Sequence, residues 1–142
     1  MGLVRYHRPT LLRFVFLAVP VLLLTLGLGH FVADMAGVDA GPSLGPREAL
    51  PALYVVGTWL LEAVALTALF LLVAGRTSAR LLDGLFTSLC AWLFRGPVFV
   101  LTAASIFRSR VDDLWHAALT WLALYVLCGL LLAWLGRRLD TK

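Results

Sequence analysis

The sequence predicts an all-α, polytopic integral membrane protein: a single membrane domain over 1–142, built as a four-transmembrane-helix bundle with both termini cytoplasmic. Three observations lead there. Of 142 residues, 61% are hydrophobic and only 14% charged, far from the balance of a water-soluble domain. The mean hydropathy of +0.93 is concentrated in four apolar runs, each long enough to cross a hydrocarbon core about 30 Å thick, which takes about 20 helical residues. Within the runs apolar residues are continuous, without the two-residue alternation of a β-barrel.

The first run covers about 11–33. Pro20 lies in its middle, where it frees the carbonyl of Phe16 and bends the helix; Gly27 and Gly29 permit close packing near its far end. Arg5, Arg8 and Arg13 ahead of it, with Val38-Asp39-Ala40 beyond it, mimic a cleavable secretory leader, but the run is too long for the apolar region of one and is read as a retained span. Residues 34–49 hold Asp34, Asp39, Glu48 and the stretch DAGPSLGP, a solvated loop. The second run, about 50–74, joins the third, about 81–106, through GRTSAR, so short that the two form an antiparallel hairpin. Pro97 interrupts the third. After another brief connection the fourth run covers about 114–135.

Orientation follows from the basic residues, counted over loops short enough for the rule to hold. Arg5, Arg8, Arg13, Arg76, Arg80, Arg137, Arg138 and Lys142 fall on one side; Arg47, Arg108 and Arg110 fall on the other, among five acids. The first side is therefore cytoplasmic. A net charge of +4 arranged this way marks topology and gives no strip for nucleic acid. Tyr54, Trp59, Trp115 and Trp134 lie toward helix ends, as an aromatic belt requires. Cys90 and Cys128 fall inside apolar runs without ligand spacing and read as packing residues. The chain has no Asn or Gln and a single Lys and Ile, while Ala, Leu, Gly and Arg abound; this fits a GC-rich genome and a bacterial inner membrane.

Two ionisable residues lie deep within spans. Glu62 and Arg95 stand roughly 20 and 22 Å from their shared cytoplasmic turn, which sets them side by side in an antiparallel hairpin. Each costs roughly 2.5 to 3.5 kcal/mol at a helix centre, so the expectation is an intramembrane ion pair between the second and third helices. Pro97 adds a kink and a freed carbonyl at Leu93, another acceptor for Arg95. Gly84, Ser88 and Ala91 form a small-residue stripe for helix packing on the same helix. The pair reads first as a clamp and second as a titrating transport site at Glu62.

At the outer rim, His30 with Asp34 and Asp112 with His116 each show the four-residue spacing that shares one helical face. If the first and fourth helices are neighbours, these four residues are the candidate ligands for a metal ion or haem b; otherwise they are interfacial residues, and the acids at the start of the fourth helix favour its positive end. No cofactor is required by any motif. No nucleophile triad, phosphate loop or paired-carboxylate site appears, so enzyme chemistry has little to stand on. The expected role is a non-catalytic accessory or assembly subunit of a larger inner-membrane complex, or a homo-oligomer, with the lipid bilayer and other membrane subunits or itself as partners. The alternatives are a small proton-coupled or ion-conducting transporter using Glu62, and a haem- or quinone-binding redox anchor.

Overall fold

In a computed structural model of the chain, residues 8–37, 52–74, 80–107 and 111–140 are described. The loops and chain ends, with Arg5, His7, Asp39, Arg47, Glu48, Arg76, Arg108, Arg110 and Lys142, lie outside the described residues, as do the side chains of Arg8, Asp112 and Asp113. The described chain is all helical: α1 (Arg8–Met35), α2 (Ala52–Val73), α3 (Arg80–Leu93), a π-helical turn (Phe94–Val98), α4 (Phe99–Phe107) and α5 (Val111–Asp140). α3, the π turn and α4 follow one another as a single third span. Four helical stretches are thus long and apolar enough to cross a membrane.

The four spans are arranged in a ring in chain order. α1 packs on α2 and α5, α3 packs on α2 and most extensively on α5, and α2 touches α5 only narrowly across the diagonal. Each helix buries one stripe. In α1 that stripe is Phe14, Ala18, Leu22 and Leu26, four residues apart, and it meets Ala63, Leu66 and Phe70 of α2 and Tyr125, Cys128 and Leu132 of α5 in one core. The rings of Phe14 and Phe70 stack with centroids 5.6 Å apart. Outside the stripes the surface is apolar: Phe16, Leu53 and Phe94 are each three-quarters or more exposed. Water would aggregate such a surface, whereas acyl chains solvate it.

The prolines behave differently. α1 runs as one helix through Pro20. At Pro97 the helix widens into the π turn, which accommodates a ring that would otherwise collide with the carbonyl one α turn back.

The glycines mark close approaches. Gly27 faces Trp59 of α2, whose ring carbons would stand 3.2–3.3 Å from an added Cβ, and Gly29 faces Leu124 of α5. The tightest approach is between α3 and α5. A Cβ at Gly84 would collide with the Gly129 carbonyl, and one at Gly129 with the Gly84 carbonyl and the Ser88 hydroxyl. The small-residue face of the third span, for which the sequence named no partner, therefore meets the fourth span.

Candidate functional site

The hairpin geometry brings Glu62 and Arg95 together: Arg95 Nη1 donates to Glu62 Oε1. Arg95 sits in the π turn, and its guanidinium carbon lies 4.9 Å from the centre of the Trp121 ring on α5. The cation thus has a carboxylate on one side and an indole face on another, both favourable where water is excluded. Among the described residues, Glu62 is its hydrogen-bond acceptor, in place of the proline-freed carbonyl the sequence offered. Trp121 itself meets Phe99 edge-on at 5.7 Å.

The pair is neither sealed nor solvated. The Arg95 side chain is 31% exposed and that of Glu62 13%. Both line a cleft of about 660 Å³ between α2 and the third span. Its floor is the buried Tyr125 and half-buried Trp121; its lip includes the exposed Ala65 and Phe94, with Leu66 and Leu69 along the α2 wall. Glu62 Oε2 is the buried side-chain oxygen without a hydrogen-bond partner among the described residues. A carboxylate oxygen in that condition pays the cost of leaving water without compensation.

Comparison with known proteins adds nothing to this geometry. No protein-family model matches the chain, and neither the curated proteins nor the solved structures compared give a match.

Other residues singled out in the sequence are dispersed. His30 stacks on Trp59 of α2 with ring centroids 5.7 Å apart and planes 8° from parallel. Asp34 is exposed at the end of α1 and His116 is exposed on α5; Asp112 has no described side chain. Among the described residues, no three His, Cys, Asp or Glu side chains gather as a metal site. Gly84 and Ser88 are buried in the α3–α5 seam, and Ala91 packs at the edge of the core and lines the cleft. Asp83 is fully buried in the first turn of α3.

Four residues that sequence reasoning passed over complete the site and its support. Trp121 and Tyr125 form the cleft floor, Gly129 receives α3, and the Trp92 indole donates to the Ala118 carbonyl at 2.7 Å. Trp121 carried a legible signal: it lies well inside its span, away from the interfacial depth where tryptophan is usual.

Proposed function

We propose that this chain is a non-catalytic multi-pass protein of a bacterial inner membrane, with both termini cytoplasmic, that works by packing against another membrane subunit or a second copy of itself. The observation that carries this reading is Gly57 in α2. Every other described glycine within a helix meets a neighbouring side chain or backbone where its Cβ would be; Gly57 meets nothing within 4 Å. A glycine costs a helix about 1 kcal/mol relative to alanine, and in lipid its usual return is the close seating of another helix. Leu61, Val64 and Ala68 continue from Gly57 along the same exposed face.

Native mass spectrometry of the tagged chain, extracted from its own membranes in mild detergent, tests this directly. The expected result is a defined complex that Gly57→Leu dissociates while helical circular dichroism is unchanged. A bare monomer for both chains removes the packing reading. The orientation is tested separately by a C-terminal reporter active only in the periplasm, which stays silent if the terminus is cytoplasmic.

Glu62 Oε2, without a partner among the described residues, favours a second reading, proton- or ion-coupled transport in which the carboxylate titrates. Glu62→Gln then abolishes flux in proteoliposomes while leaving the bundle folded.

A further inference from the structure

We infer that the cleft between α2 and the third span binds a small lipophilic aromatic molecule of the quinol class, with one ring hydroxyl donating to Glu62 Oε2 and a ring oxygen accepting from Arg95. This does not rest on the packing reading, since it concerns a different face of α2.

Four features of the cleft define the occupant. Glu62 lines the cleft with a partly exposed side chain, and its buried Oε2 has no donor among the described residues, so a ligand carrying an O–H or N–H meets that oxygen once the carboxylate turns toward the cleft. Arg95 commits one N–H to Glu62 and has nearly a third of its side-chain surface open, so its other N–H groups call for an acceptor close to that donor. Phe94, Phe99 and Trp121 surround the charged pair with ring surface, which favours a flat ring over a branched chain. The volume of about 660 Å³ lies in the range of small-molecule sites and holds a ring with a short tail.

An acyl chain of an ordinary lipid satisfies none of the polar demands, and a phospholipid head brings a phosphate whose charge opposes Glu62. A metal ion answers the carboxylate but faces the Arg95 cation. An aromatic diol answers both groups while remaining neutral enough to reach this depth from the bilayer. The inference is one of binding; no electron transfer is assigned.

The test uses the full chain in nanodiscs, titrated with a short-tailed benzoquinol and with its dimethyl ether, which keeps the ring and both oxygens but has no donor. Quenching of tryptophan fluorescence is the readout, with Trp121→Phe identifying the reporting ring. The expected result is saturable quenching by the quinol, with the ether bound about tenfold more weakly, the equivalent of one hydrogen bond to a charged acceptor. Glu62→Gln should narrow that preference, and Ala65→Phe, which fills the cleft while leaving both members of the pair in the chain, should remove saturable quenching from both ligands at unchanged helical content. Linear, non-saturating quenching by both compounds means partition into lipid and overturns the inference. So does equal affinity for quinol and ether, or saturable binding that survives Ala65→Phe.

Discussion

The third span has two neighbours and treats them in opposite ways. Against α5 it presents Gly84 and Ser88 to Gly129, so that backbone lies on backbone. Two polar bonds cross that seam, Ser88 to the Tyr125 carbonyl at 2.8 Å and Trp92 to the Ala118 carbonyl at 2.7 Å. Against α2 it presents Arg95 and large aromatic rings, which make one ion pair and hold a cleft open. The difference teaches how one helix can close tightly on one neighbour and leave a cavity against the other. In lipid no hydrophobic force pulls helices together, so small residues and hydrogen bonds decide which interfaces close, and bulky or charged ones decide which stay apart.

The strongest way to break the contrast is to overpack the seam. Gly129→Leu puts a branched side chain where the Gly84 carbonyl and Ser88 hydroxyl already sit, and neither helix can yield without moving the other. A loss of about 3 kcal/mol is expected, read as a fall in unfolding midpoint in detergent together with new reactivity of Cys128, which is fully buried in the folded bundle. Next in size is Arg95→Leu on the open side. It strands Glu62 without its cation, and the expected loss is about 2 kcal/mol, below the range for a fully buried pair because a third of Arg95 is open. Glu62→Leu combined with Arg95→Leu should recover most of that loss in the same denaturation assay. A double variant as stable as the parent would show that the pair is not retained for stability; a double variant no more stable than Arg95→Leu alone would make the pair a clamp.

These two interfaces were unequally legible in the sequence. The four helical spans follow from unbroken apolar runs, and the facing of Glu62 and Arg95 follows from their equal distance to one short turn, because helical rise converts residue number directly into depth. The partner of the Gly84–Ser88 face did not follow. A stripe of small residues says that something approaches closely, but azimuth around the bundle depends on every helix at once, and only the structure places Gly129 opposite. The cleft was likewise invisible. It arises from the π turn at Pro97 and from rings contributed by two separate spans, and a proline in a helical run signals a departure from α geometry without saying which one.

The smaller effects sharpen the seam by separating its polar bonds from its packing. Trp92→Phe removes the indole donor to the Ala118 carbonyl and also shortens a ring that packs against the core, so about 1 kcal/mol is expected from the unfolding midpoint. Ser88→Ala should cost less, about 0.6 kcal/mol. The Ser88 hydroxyl has one proton and two carbonyls within reach, that of Tyr125 on α5 at 2.8 Å and that of Gly84 on its own helix at 2.9 Å. Only the first contact ties the spans, and losing it leaves the Tyr125 carbonyl with its place in the α5 backbone ladder, so no acceptor is orphaned. Alanine also keeps the small volume that Gly129 needs opposite it. If Ser88→Ala instead costs as much as Gly129→Leu, the hydrogen bond and not the close backbone approach holds the third span to the fourth, and the division between a seam closed by shape and a cleft held open by charge fails.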